Sequence, residues 1–419
     1  MIALPAAVLL GGTALATLAA PASAATAITA CGTTITAPGS YTLGADIGPC
    51  PHDGIDIAAS NVTLSLNGHT ITGSDTTNTS GAPEDQQIGV HLLNVHGVTV
   101  MGPGTITHFD AGVAIDGGYG NVIQGLTVRD NIAHVILTGG VNNGDPFQNA
   151  CDFGDGITAD NSSGNVIRAN TVTNNGPFSG IALVDNSDRN VVSGNQTVNN
   201  HVSNILPSGI NGPCGPFGGN DVGRGRPHQN IGIRMEGPGA NANVISGNTS
   251  NDNQLEGIAV FDNICPGADN MPNGTPNNSG NVIQGNTVLR NGGTDGQNGI
   301  AVLQQGPGGV VCVPSNTTII GNNASNNTGN GIYLGGRGSS NNTVKGNTTN
   351  GNGVDGILVS GPSVGRTGPL PGSINNTLSG NTAMGNTVWD AFDGNTAPPC
   401  DNNRWTGNHF VKVNQSCIH

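Results

Sequence analysis

Apolar and polar residues alternate in short runs along this chain, and the runs repeat. The phrase Asn-x-[Val/Ile/Leu]-x-Gly-Asn occurs as Asn190-Val191-Val192-Ser193-Gly194-Asn195, Asn342-Thr343-Val344-Lys345-Gly346-Asn347 and Asn376-Thr377-Leu378-Ser379-Gly380-Asn381, and with Ala in place of Gly as Asn165-Val166-Ile167-Arg168-Ala169-Asn170. A second Asn follows five residues later, and often then Gly-Ile-x-hydrophobic. Strict alternation predicts half-buried strands. A phrase at a fixed period predicts stacked repeats in place of one globular core. Asn170 and Asn195, like Asn322 and Asn347, stand 25 residues apart, room for three short strands and three turns but too short for a propeller blade.

Aligning the copies gives two inward columns. One reads Val113, Ile157, Ile181, Ile233, Ile258, Ile300, Ile332, Ile357; the other reads Ile123, Ile167, Val192, Ile245, Ile283, Ile319, Val344, Leu378. β-branched residues dominate both, as strands prefer. Asn170, Asn195, Asn248, Asn286, Asn322, Asn347 and Asn381 form one amide column, with Leu126 at its start. Asn131, Asn175, Asn200, Asn253, Asn291, Asn327, Asn352 and Asn386 form another, and both are expected to stack as ladders. The span 131–156 has room for one degenerate extra coil.

Of the 419 residues, 69 are Gly, 9% are charged and 35% are apolar. Apolar residues at regular positions exclude disorder, and a solenoid escapes the size limit of a single core. The net charge of -14, with only 12 Lys and Arg and none before Arg129, excludes a general nucleic-acid binder. Residues 1–24, apolar and ending Pro21-Ala22-Ser23-Ala24, read as a signal peptide, although no Lys or Arg precedes the apolar run. The expectation is a secreted, extracellular protein with no membrane span after signal removal. Its domains would be an N-terminal cap over 25–51, repeats with loop insertions over 52–390 and a C-terminal cap over 391–419. Eight cysteines fit an oxidising compartment. Their positions suggest the bridges Cys31–Cys50, Cys151–Cys214, Cys265–Cys312 and Cys400–Cys417. Both Trp residues, Trp389 and Trp405, lie near the last pair with Phe392 and Phe410, where they would plug the end of the core.

These phrases, with the Asn61–Gly73 stretch, resemble right-handed parallel β-helix repeat proteins, within them the NosD-type, carbohydrate-binding and sugar-hydrolase group. The resemblance implies an all-β, single-stranded right-handed parallel β-helix with three strands per coil and disulfide-bonded caps. It also implies a meeting with extracellular polysaccharide. It does not decide between catalysis and binding, because the fold serves lyases, hydrolases, epimerases and inert proteins alike.

Insertions crowd the middle of the chain, flanking the Gly-Ile strands, whose outward columns would floor a groove. One column reads His91, Ala114, Thr158, Ala182, Arg234, Ala259, Ala301, Tyr333, Leu358; the next reads Asp116, Asp160, Val184, Glu236, Phe261, Leu303, Gly335, Ser360. Asp116, Asp160, Asp185, Glu236 and Asp262 make an acidic track with Arg234 as its one basic member. For a hydrolase, Glu236 paired with Asp185 or Asp262 on a neighbouring coil would supply the two carboxylates, about 5 Å apart for retention. For a lyase, Arg234 with Arg224, Arg226 and His228 would grip an anionic sugar. Asp160, Phe261 and Tyr333 would complete substrate binding. The resemblance brings in calcium, which often serves β-helix lyases, and through the NosD-type group copper-enzyme maturation, for which the ten scattered His residues offer no ligand cluster; the metal stays unknown, and monomer and trimer stay open. The scattered His residues read as hydrogen-bonders. Polygalacturonase, alginate-epimerase and pectate-lyase signatures are absent. A non-catalytic carbohydrate-binding or structural surface protein is the alternative. An ice-binding file of Thr127, Thr171, Thr249, Thr287, Thr348 and Thr382 is broken by Gln196 and Asn323.

Overall fold

A computed structural model describes residues 24–74, 87–132, 155–176, 179–198, 231–237, 239–262, 275–293, 297–304, 312–335, 338–365 and 368–419. Among them no residue is helical, and none forms a helix long and apolar enough to cross a membrane. The chain winds through three parallel sheets in turn. The Gly-Ile sheet has 12 strands, the sheet led by the repeat phrase has 13, and the third has 7. The third sheet continues as single parallel bridges from Thr249 through Thr287, Asn323 and Thr348 to Thr382.

Register follows the sequence columns. Ile157 pairs with Ile181, Ile181 with Ile233, Ile233 with Ile258, and Ile258 with Ile300. The second column runs likewise from Ile123 through Ile167 and onward to Leu378. Every member of both columns is fully buried. Burying a Val or Ile side chain stabilises by about 1.5–3 kcal/mol, so these files are the principal cohesive term along the axis. Val113 pairs directly with Ile157, and Ile123 with Ile167, so no extra coil separates the strand that starts at Ala111 from Ile157–Asp160.

The asparagines divide into two kinds. In Asn174-Asn175, Asn326-Asn327 and Asn341-Asn342, the first member has positive φ and the second is buried in a ladder. Gly194, Gly247 and Gly285 take the same left-handed position before Asn195, Asn248 and Asn286. Gly and Asn tolerate that conformation best. The buried amide then joins the coils: Asn195 Nδ2 donates to Asn248 Oδ1 at 3.0 Å, and Asn248 Nδ2 to Asn286 Oδ1 at 3.0 Å. Asn253, Asn291, Asn327, Asn352 and Asn386 form a second such ladder. A third, led by Asn121, Asn165, Asn190, Asn243 and Asn281, uses the first Asn of each phrase. The Gly of Gly-Ile has a packing cause: a Cβ on Gly156 would stand 2.5 Å from Val172 Cγ1 and 2.7 Å from the Gly180 carbonyl oxygen.

Both ends are closed. Cys31 bonds Cys50, and Cys400 bonds Cys417. Cys151, Cys214 and Cys265, and the side chain of Cys312, lie outside the described residues, as do residues 1–23. Leu378 pairs with Trp405, which ends the second column, buried and edge-on to Phe410 at 6.0 Å. The Trp405 indole donates to Asp393 at 3.0 Å, so the plug satisfies its one polar atom.

Candidate functional site on the outer Gly-Ile face

Alternation sends every second side chain of the Gly-Ile sheet outward. Register places them in the two columns read from sequence: Ala114 with Thr158, Ala182 with Arg234, Asp116 with Asp160, and Val184 with Glu236. Among the described residues two polar clusters stand on this face; their centres, His91 and Arg234, are four coils apart, roughly 19 Å at the usual strand spacing.

The first centres on Arg234. Its guanidinium donates to Glu236 at 2.6 Å and, across two coils, to Asp155 at 3.1 Å. The Arg234 side chain is 6% exposed, Asp155 1% and Glu236 16%. Thr158 also donates to Asp155 at 3.1 Å. Burial pushes the Asp155 carboxyl above its ordinary range, while Arg234, Thr158 and Ser179 pull it back. Arg234 is thus an internal cation held between two carboxylates. Asp185, one residue past the Val184–Glu236 pair, is half-buried with φ +42.

The second cluster centres on His91, in the coil next to Ala114. Its Nε2 lies 2.5 Å from Asp116 and its Nδ1 3.4 Å from Asp53. Asp56 is its register partner on the preceding strand. Burial pulls the imidazole down, but the Asp116 and Asp53 carboxylates outweigh it and raise His91 to about 9. Burial and the neighbouring Asp53 raise Asp56. Three carboxylates face one imidazole, so this end of the face is net negative. The Asp116 side chain is 45% exposed, the most open of the cluster.

Beyond Asp116 the chain turns through Gly117 and Gly118 to Tyr119. Tyr119 stacks on His96 of the neighbouring coil, with centroids 4.9 Å apart, and is 60% exposed. Neither ring belongs to a strand, so alternation did not single them out. The turn bridges His96–Tyr119 and Tyr119–Ser163 hold them in line with the coils.

The other sequence-predicted residues scatter. Asp160 is half-buried beside Asp116. Tyr333 packs on an outer apolar group of Ala259, Ala301 and Leu303, well away from His91. From Ala182 through Ala259 to Leu303 the outward column positions with described side chains are almost inaccessible apart from Val184 and Glu236, so the middle of the expected floor is closed. Arg224, Arg226 and His228 lie outside the described residues, as do the side chains of Phe261 and Asp262. Among the scattered histidines, His69 bonds Asp46 at 3.1 Å and His108 bonds Thr107 at 2.9 Å.

Comparison with known proteins follows the fold. The model of the NosD family, described as periplasmic copper-binding protein, matches residues 25–210. The structure is similar to the Dettilon tailspike protein, with TM-score 0.51, 19% identity, and coverage of 90% of this chain and 60% of the tailspike. It is similar to a double mutant of the periplasmic alginate epimerase AlgG, with TM-score 0.50, 14% identity, and coverage of 91% and 78%. This chain is a parallel β-helix repeat protein. Its N-terminal coils carry the NosD likeness, and the β-helix spans less than two thirds of the tailspike's length. No curated protein matches this β-helix by sequence.

Proposed function

We propose that this β-helix is an extracytoplasmic protein that binds polysaccharide along the outer face of its N-terminal coils. The observation that carries the reading is the exposed Tyr119 ring, stacked on His96 one short turn beyond the exposed Asp116 carboxylate. An aromatic face beside hydrogen-bonding carboxylates suits a sugar ring, which is apolar across its C–H face and polar at its edge. Repetition at the coil spacing suits a polymer more than a monosaccharide. The epimerase likeness and the tailspike likeness are consistent with this choice and do not define the sugar.

Charge narrows the sugar class. Arg234 is committed to Asp155 and Glu236, and His91 is outnumbered by carboxylates. A net charge of -14 adds to the repulsion of polyanions. Neutral polysaccharide is therefore favoured over polyuronate, which sets the lyase reading behind the others.

A hydrolase reading is favoured by one further observation. Asp116 and Asp160 are register partners on adjacent coils of the outward column. Carboxyls so placed stand about 5 Å apart, the separation for retention. Asp185, Glu236 and Asp262 would then lie outside the reaction centre.

The experiment is a panel of neutral and anionic polysaccharides tested for binding, new reducing ends and unsaturated uronates. Binding to neutral polymer without product supports the binding protein. Reducing ends lost in Asp160→Asn support the hydrolase. Unsaturated uronates, or binding to polyanions alone, overturn the charge argument. No binding at all overturns the whole reading.

A further inference from the structure

We propose that Asp53, Asp56 and His91 form a binding site for a divalent transition-metal ion held by oxygen and nitrogen, with Zn2+ as its type. One ligand atom from each of the three lies within 4.8 Å of the others. Metal bonds of about 2.0–2.2 Å need ligand atoms somewhat closer than that, which small side-chain rotations supply. Asp56 and His91 sit opposite each other on adjacent paired strands, and Asp53 precedes the first of them by one turn. A paired sheet gives such a site a rigid base.

Two observations beyond the donors point to a cation. Among the described residues, Asp56 Oδ1 is sealed from solvent and accepts no hydrogen bond, while its Oδ2 accepts one from Thr34 at 3.4 Å. A buried carboxylate oxygen left in that state is costly, and a cation beside it removes the cost. His91, second, is oriented from behind. Its Nε2 is held 2.5 Å from Asp116 and its Nδ1 faces Asp53 at 3.4 Å. Metal-bound histidines take this arrangement, with one ring nitrogen on the metal and the other donating to a carboxylate. Asp116 would thus position the imidazole without touching the ion.

The donor set selects the ion. Calcium takes six to eight oxygens, and this site offers a nitrogen and two carboxylates. Cuprous ion prefers thiolate and thioether, and neither is in the set. Of the copper that the NosD family description names, only the cupric form suits these donors. Zn2+ accepts two carboxylates and an imidazole with water in a fourth position. His91 and Asp53 keep 14% and 23% exposure, which leaves a path for the ion and for that water.

The test uses the full chain stripped of metal by a chelator and titrated calorimetrically with Zn2+, Ca2+ and Mg2+. The result expected is one Zn2+ per chain, in preference to both other ions. Asp56→Asn, almost isosteric, weakens it at least about tenfold, and Asp116→Asn weakens it about 10–100-fold. X-ray absorption of the loaded protein should show only nitrogen and oxygen around zinc, with one imidazole. Circular dichroism of the metal-free variants confirms that they fold. His91→Gln, which removes the nitrogen ligand, should abolish saturable Zn2+ binding; if it does not fold, Asp56→Asn alone decides. Absence of saturable Zn2+ binding below about 1 mM overturns the proposal. So do binding unchanged in Asp56→Asn, Ca2+ binding as tight as Zn2+, and a sulfur-containing shell.

Discussion

Arg234 reaches over one intervening coil to Asp155, and its guanidinium closes to 3.1 Å on a carboxylate that is 1% exposed. Register sets Ala182 between Thr158 and Arg234, so the residue under the crossing arm is a small one. Breaking a buried ion pair costs up to about 3–5 kcal/mol, and less where the cation keeps a second carboxylate, as Arg234 keeps Glu236. Asp155→Asn should therefore lower the melting temperature markedly. Glu236→Gln should cost less, because Glu236 is more exposed and Arg234 keeps Asp155. Thermal melts of the two variants check the order; equal losses would mean that the long-range contact carries no special weight.

Glu256 is buried immediately before a Gly-Ile pair, and among the described residues only Asn298 donates to it from a side chain, at 3.4 Å. Burial raises its carboxyl to about 7 from an ordinary 4.5; its own backbone and Asn298 pull weakly the other way. A carboxyl whose folded pKa lies above its unfolded value favours the protonated fold. That stability is complete below pH about 4.5 and is lost as pH rises through about 7, a change on the order of 3 kcal/mol. Glu256→Gln stays neutral throughout. It should match the parent near pH 4.5 and exceed it at pH 8, as denaturant melts at the two pH values would show. A constant offset would mean that Glu256 is not charging in this range.

The columns were legible because alternation and repetition act together: a strand position that recurs every coil has one direction and one neighbour above and below. Ile157, Ile181 and Ile233 could thus be stacked on paper, and so could Ala182 with Arg234 and Asp116 with Asp160. The two outer disulfides and the plug of Trp405 with Phe410 followed from position alone, whereas Trp389 and Phe392, expected to share the plug, are half-buried and stand outside the core cluster. The partners of Arg234 and His91 were less legible. Asp155 lies 79 residues before Arg234, in a turn, where side-chain direction has no fixed period. Asp53 likewise precedes its strand, and Asp116 meets His91 diagonally between columns, since the direct partner of His91 is Ala114. The His96–Tyr119 stack belongs to turns as well. The closing of the middle of the expected groove floor depends on how deep each outward side chain sits, which no column reveals.

Thr317 occupies the place of the phrase-leading asparagine between Asn281 and Asn342. Its own N–H donates to Asn342 Oδ1 at 2.9 Å, so the ladder continues on one side. On the other it offers no amide oxygen to Asn281, and among the described residues its buried hydroxyl has no partner. Thr317→Asn should restore the rung and gain about 1–2 kcal/mol, the worth of one or two hydrogen bonds and one relieved orphan. The variant's denaturant midpoint reads this directly. A loss would mean that the corner is too tight for the longer side chain.

Tyr119 separates the binding reading from mere surface decoration. At 60% exposure, with its ring on His96, it contributes little to the core. Tyr119→Ala should leave the melting temperature within about 2 °C, since exposed substitutions usually cost under about 0.5 kcal/mol. Loss of a stacking face worth about 0.5–1.5 kcal/mol should weaken binding to neutral polysaccharide by about 2–13-fold. Tyr119→Phe should keep nearly all the affinity, because the face and not the hydroxyl does the holding. Retention assays on immobilised polymer, run beside Tyr333→Ala, give the contrast. Tyr333 packs on Ala259, Ala301 and Leu303, so its loss should lower stability and leave binding intact. The opposite pattern would move the polysaccharide from the N-terminal coils to the Tyr333 end of the face.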